Sequence, residues 1–174
     1  KEAEARTVQI DAATRRNLEL TQALSGGRAG SLLSVIDKTV TAGGARLLER
    51  RLSSPSRVLE VVRDRLEAVA WFTAESRDRD ATRDHLRKVP DLGRALSRLS
   101  MDRGGPRDLA AIRNGLTEAS DLSHSLKETE TPDLLTTALA ALTGHDALID
   151  QLDAALVAEP PLLARDGGFI ASDH

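Results

Sequence analysis

Pro106-Arg-Asp-Leu-Ala-Ala-Ile-Arg-Asn-Gly-Leu-Thr-Glu-Ala-Ser-Asp-Leu-Ser-His-Ser-Leu126 is the stretch that decides the fold class. Within it Leu109, Ile112, Leu116, Ala119, Leu122 and Leu126 recur at intervals of three and four, the spacing that lines one face of an α-helix. Gly104-Gly105 breaks the chain just before it. Pro106 suits the first helical turn, because the N–H it lacks would have no partner there. Asp108 adds negative charge to that turn, where the helix dipole favours it. The stretch predicts a long helix with Leu116 at the centre of its buried face.

Working outward, the same periodicity returns on both sides. Pro90-Asp91 opens a helix carrying Leu92, Leu96 and Leu99, and Leu86 and Val89 belong to a short helix before it. Glu75-Ser-Arg-Asp-Arg-Asp80 reads as a solvated turn or helix end. From Ser56 to the mid-70s, Val58, Val62, Leu66, Val69 and Phe72 form a stripe expected to be buried. Thr41 to Leu52 is helical, with Leu47, Leu48 and Leu52 on one side and a stop at Ser53-Ser54-Pro55. Ser31–Ile36 fits strand or helix, and Ser25–Gly30 is a glycine loop. Asp11 is positioned to cap a helix whose first apolar contact is Leu18, while Val8 and Ile10 alternate as in a short strand. Downstream, Leu135, Leu139 and Leu142 mark one helix and Leu148, Leu152 and Leu156 another, before Pro160-Pro161 stops the set. Gly167–Ala171 begins a turn or strand. The fold class is all-α, a multi-helix domain with minor β elements at its two ends. Its parts are a lead-in with a short strand (1–10), the helical body (11–166) and the start of a connection onward (167–174).

At 174 residues the chain is long enough for one core. With 29% charged and 40% hydrophobic residues it is globular in composition. It has no cysteine, a polar N-terminus and no apolar run of the roughly 18 residues a membrane span needs. These features point to a cytoplasmic protein with no membrane partner. The net charge of −3 is uneven: residues 1–65 hold 12 Lys/Arg against 8 Asp/Glu, a net +4, and residues 66–174 hold 12 against 19, a net −7. DNA affinity rests on Lys and Arg neutralising phosphates. The acidic part is a poor phosphate track, and Trp71, Phe72 and Phe169 are too few aromatics for a base-stacking platform.

Catalytic patterns do not emerge. Lys38-Thr39 follows Asp37 rather than the glycine of a phosphate loop. His85, His124, His145 and His174 lack the i, i+3 or i, i+4 spacing of paired metal ligands. Asp80/Asp84 and Asp146/Asp150 share helix faces but read as solvated surface. No catalytic, cofactor-binding or metal-binding residue is therefore assigned. Arg15-Arg16 is the open question, since adjacent helical residues diverge by about 100° and do not serve one partner equally. Both residues are candidate interdomain or DNA-facing contacts; alternatively, one pairs with a carboxylate inside the domain and pins the first helix.

Local physics does not account for the wording of Asp11-Ala-Ala-Thr-Arg-Arg-Asn-Leu-Glu-Leu20 and Gly30-Ser-Leu-Leu-Ser-Val-Ile-Asp-Lys-Thr-Val-Thr41. Both resemble the start of the core (lever) domain of the MutS family of bacterial DNA mismatch repair ATPases. Further matches follow in the family's order: Gly44-Ala-Arg-Leu-Leu48 with Leu52 and Pro55, and Arg65-Leu-Glu-Ala-Val69. Next come Val89-Pro-Asp-Leu92 with Arg94 and Ser97-Arg-Leu99, Pro106-Arg-Asp-Leu109, then Glu159-Pro-Pro161 with Arg165-Asp-Gly-Gly168. Gly43, Arg51 and Gly93 depart from the family's usual Met, aromatic residue and Glu.

The resemblance implies a fragment of a homodimeric protein that recognises mismatched double-stranded DNA, binds ATP and Mg²⁺ elsewhere in its chain, and works with a MutL-type partner. This segment would be the first part of the lever joining the DNA-binding and ATPase ends, without enzyme activity or cofactor of its own. A chain that starts without Met and stops at Gly-Gly-Phe-Ile-Ala-Ser-Asp-His fits such a piece. The alternative is an independent helical protein-interaction scaffold. In a cut lever, apolar faces at Leu135/Leu139/Leu142 and Leu148/Leu152/Leu156 are expected to stay uncovered. DNA binding by the chain should be weak, salt-sensitive and indifferent to a mismatch, because phosphate contacts carry no sequence information. Titration of paired and G·T duplexes at near-physiological salt checks this, equal affinities being the expected result.

Overall fold

The computed structural model describes residues 6–171, and these are mostly helical. The chain order is α1 (Ala12–Asn17), α2 (Leu32–Ile36), α3 (Ala42–Ser53), α4 (Leu59–Ala74), α5 (Ser76–Lys88), α6 (Leu92–Ser100), α7 (Pro106–Ser125), α8 (Asp133–Ala140) and α9 (Asp146–Ala155), then a 3₁₀ turn (Ala164–Asp166). The described residues divide into two compact units, one up to Ala70 and one from Trp71. Lys1–Ala5 and Ser172–His174, with the outer parts of the 1–10 and 167–174 segments, lie outside the described residues.

Caps and breakers act where their chemistry says they should. Asp11 accepts from the Thr14 N–H at 2.9 Å, Ser31 from Ser34 at 3.2 Å, Thr41 from Gly44 at 2.9 Å and Asp91 from Arg94 at 3.2 Å. Each satisfies one of the donors that a helix start leaves orphaned. The ambiguous Ser31–Ile36 segment resolves as helix because Ser31 caps it. The charged stretch after Glu75 becomes the first turns of α5, which is longer than the short helix expected around Leu86. Among the described residues the β content is limited to isolated bridges. Thr7 faces Ser56 and Leu156 faces Ile170, so the Val8/Ile10 strand reduces to a single bridge.

In the first unit, the buried centre is Leu20, Ala23, Ser31 and Leu33, the last 1% exposed. Backbone bonds from Leu32 N–H to Glu19 O and from Leu33 N–H to Leu20 O, both 2.9 Å, tie α2 to the turn after α1. Leu18 is 59% exposed and Leu20 takes the inward place expected of it, because α1 ends at Asn17 and the helical register stops there.

In the second unit, α5, α6, α8 and α9 all pack against α7. α7 buries Pro106, Ala110, Arg113, Gly115 and Leu122, with Leu126 buried just after its end. Leu116 is half-buried, so the buried positions run round α7 rather than along one stripe. Gly115 allows the tightest approach: a Cβ there would lie 2.3 Å from Leu92 Cδ2. Trp71 donates from Nε1 to Glu130 O at 2.9 Å and meets Phe72 edge-on at 4.9 Å.

Two stripes are covered only in part. On α4 and just before it, Val58, Val62 and Phe72 of the expected stripe are half-buried, but Leu66 and Val69 are 62% and 63% exposed, and Val61, Arg65 and buried Ala68 take inward positions beside them. On α6, Ala95 is buried between half-buried Leu92 and Leu99, and Leu96 is exposed. The expected bare faces of the last helices are also corrected. Leu135, Leu139, Leu142 and Leu152 are half-buried and Leu156 is buried, leaving Leu148 exposed. Leu122→Ala should lower stability by about 2–5 kcal/mol and Leu96→Ala by less than about 0.5 kcal/mol, as measured by urea unfolding.

Candidate functional site

Polar chemistry in the first unit gathers at three places. The first is the start of α1. Asp11 receives the Thr14 backbone N–H and, at 2.7 Å, the Thr14 hydroxyl. Those two bonds, in that order, hold its carboxyl below the usual range. Arg15 donates from Nη2 to Ile10 O at 3.1 Å, and its buried Nε meets no partner among the described residues. Arg16 is exposed. Both arginines line a cavity of about 450 Å³ with Thr21, Gln22, Leu24 and Gly26. The pair thus divides as its geometry requires, one inward and one outward, but Arg15 holds a backbone carbonyl rather than a carboxylate.

The second place is the loop between α1 and α2. Ser31, fully buried, donates to Arg28 O at 2.7 Å, and Arg28 pairs with Asp37. Asp37 also accepts from the Thr39 hydroxyl at 2.6 Å and the Thr39 N–H at 3.0 Å. The Thr39 hydroxyl, then its N–H, then the Arg28 charge keep the Asp37 carboxyl low. The third place is a cleft of about 530 Å³ lined by Arg50, Arg51 and Arg65 together with Thr7, Gln9, Leu47, Ser54 and Ser56. Partial desolvation, then the charges of Arg65 and Arg50, lower Arg51 from its usual value.

In the second unit the dominant group is Arg113, a buried arginine on α7. It donates to Ala158 O at 3.1 Å and Val157 O at 3.5 Å, and stands 3.6 Å from Asp153. Arg107 donates to Pro160 O at 3.2 Å. Together they fasten the segment after α9 to α7. Glu118 on α7 receives His85 at 3.2 Å and Lys88 at 3.8 Å from α5. Arg98 lies 3.3 Å from Asp108, which also accepts the Gly105 N–H.

Among the described residues no three His, Asp or Glu side chains are grouped to hold a metal. His85 belongs to the Glu118 pair, His124 bonds Ser120 O, and His174 lies outside the described residues. Asp80 and Asp84 pair with Arg79 and Arg87 on the α5 surface. No described helix is long and apolar enough to cross a membrane.

The family model of MutS domain III matches residues 13–172. The chain belongs to the MutS domain III family. It is 68% identical over 172 residues to the DNA mismatch repair protein MutS of Roseobacter denitrificans, covering 99% of this chain and 20% of that protein. It is 62% identical over all 174 residues to the proteins of the same name from Ruegeria sp. and Paracoccus denitrificans, covering 20% of each. The chain spans about a fifth of the length of the curated relatives it matches.

For this domain III the sequence pointed to Arg15 and Arg16 and missed Arg113 and the Arg50/Arg51/Arg65 cleft. Arg113 carried little signal, standing beside Asn114 between the apolar positions Ile112 and Leu116. The cleft carried none, because Arg65 reaches it from a different helix. Asp11 and Asp37 give a pH test. A carboxyl depressed in the folded state stabilises it above the unfolded pKa, and that contribution is lost as pH falls through the folded value. The Asp11→Asn/Asp37→Asn variant should therefore lose less Tm than the unmodified chain as pH falls through and below the ordinary carboxyl range, as followed by circular dichroism melts.

Proposed function

We propose that this domain III is the helical lever of a mismatch repair ATPase. In this reading it supplies no catalytic residue. It mechanically connects the part of the longer protein that reads mismatched duplex DNA to the part that binds Mg²⁺ and hydrolyses ATP. The longer protein acts as a homodimer with a MutL-type partner, in the cytoplasm. The observation that carries this reading is α7. It has 20 residues, about 30 Å long at 1.5 Å per residue, and the unit's other helices all dock on it. A strut of that length, fastened by buried side chains rather than shaped around a ligand, suits transmission better than chemistry.

Two further features support the reading. Family membership places the chain among proteins named for mismatch repair. Leu59, Leu66 and Val69 put apolar surface outward on α4, as expected of a module that meets other parts of a protein five times its length. The same outward face would serve an independent interaction scaffold, so the test must read coupling rather than binding. For the first helix we assign Arg15 to holding the lead-in through Ile10 O, and Arg16 to a contact with a neighbouring domain or DNA.

Arg113→Met in the full-length protein tests the lever. The change removes the bonds from α7 to Val157 and Ala158. ATP turnover without DNA and affinity for a G·T duplex should each stay within about twofold. The mismatch-dependent change in turnover should fall about fivefold, within the range by which side chains between sites modulate coupling. Equal losses in all three would mean simple destabilisation, and unchanged coupling would refute the lever.

A further inference from the structure

Three arginines line one cleft of the first unit, and among the described residues no carboxylate pairs with any of them. Arg50 and Arg51 come from the last turn of α3 and Arg65 from the middle of α4. The Arg28–Asp37 pair of the same unit leaves all three untouched. Part of this charge has a local reason, since cations in a last turn complement the negative end of the helix dipole. That end is equivalent to about half an elementary charge, too little to balance three. Arg65 is not at a helix end at all. Like charges held together lower the stability of the fold unless an anion joins them; Arg51 is depressed first by partial desolvation and then by the charges of Arg65 and Arg50.

The rest of the lining fits the same guest. Ser56 Oγ accepts the Val58 N–H at 3.2 Å, which leaves its own hydrogen to donate. Ser54 lies beside it. No aromatic residue lines the cleft, so it has no surface for stacking a base. A single carboxylate brings one charge to three cations. A phosphate brings up to two charges and more oxygens, and guanidinium forks bind them in pairs. We propose that the cleft bounded by Arg50, Arg51 and Arg65 is a phosphate-binding site, its guest either a phosphodiester of duplex DNA or a free phosphate. The site goes beyond the lever reading and does not rest on it, because coupling between distant ends needs no phosphate here.

The test uses the whole 174-residue chain with two probes, pyrophosphate and a short fully paired duplex. Arginine Nε–H resonances are followed with the first and fluorescence anisotropy over a low-salt series with the second. The variant Arg50→Gln/Arg51→Gln/Arg65→Gln is compared with Arg77→Gln/Arg94→Gln/Arg165→Gln, which removes the same charge from exposed positions of the other unit. Pyrophosphate should shift cleft arginine resonances in the unmodified and control chains, and these shifts should vanish in the cleft variant. If the guest is a phosphodiester, the cleft variant should also bind the duplex at least about tenfold more weakly than the control. Its log K against log salt slope should fall by about 0.9 for each phosphate that the variant no longer neutralises. Pyrophosphate shifts with equal duplex binding in the two variants would support the site with free phosphate as guest. Should the cleft variant not fold, the Nε shifts of the unmodified chain and of Arg65→Gln alone decide. Absence of those shifts together with equal duplex binding in the two variants would overturn the proposal. Tighter binding of hexaglutamate than of pyrophosphate at these arginines would overturn it too.

Discussion

The second unit is organised by how closely α6 comes to α7. At Gly115 there is no side chain, and Leu92 fills the space a Cβ would need. A glycine inside a helix costs up to about 1 kcal/mol in propensity relative to alanine, and here the cost is offset by contact that no other residue permits. The approach brings Ala95 into the interior with it. Gly104 and Gly105 serve the same end at the turn, where added methyl groups would meet Leu99 and the Leu162 carbonyl at under 3 Å. With α6 so placed, α7 is surrounded by neighbours, and its buried positions no longer fall on one stripe.

That explains which parts of the fold were legible. Caps and breakers are local chemistry: Asp11, Thr41, Asp91 and Pro106 act on backbone groups within a few residues, and their helices start where expected. The direction a helix faces is not local. On α4 the apolar positions Val62, Leu66 and Val69 form a stripe on paper, yet Leu66 and Val69 are exposed, while Val61, Val62, Arg65 and Phe72 are half-buried and Ala68 is buried. A periodic apolar stripe says that a helix has a contact face, not which partner covers it. In a domain that is a fifth of its relatives' length, one stripe can belong to packing inside the domain and another to surfaces outside it.

The polar sites divide in the same way. Arg15-Arg16 was visible because adjacent helical residues must diverge, and the structure sends one to Ile10 O and the other to solvent. What Arg15 holds was not visible, since a carbonyl of the preceding segment has no signature in side-chain type. Arg113 was hidden by its company: a long apolar stem ending in a guanidinium fits an apolar stripe while its head reaches carbonyls 44 and 45 residues away. The arginine cleft is a property of tertiary structure alone, as Arg50 and Arg65 belong to helices separated by the bend at Pro55.

Among the described residues few apolar side chains are buried. The buried apolar side chains are leucines and alanines, and an alanine brings little apolar area out of water at about 25 cal/mol per Å². What fastens the elements instead is directional: Arg113 and Arg107 onto backbone carbonyls, Glu118 between His85 and Lys88, and Ser31 within its loop. These directional bonds fix register alongside the close Gly115–Leu92 approach, since a shift by one residue would break them as well as the packing. If this domain acts as the proposed lever, such fixed contacts along α7 would serve it better than a larger core, because slippage at them would absorb the motion to be passed on.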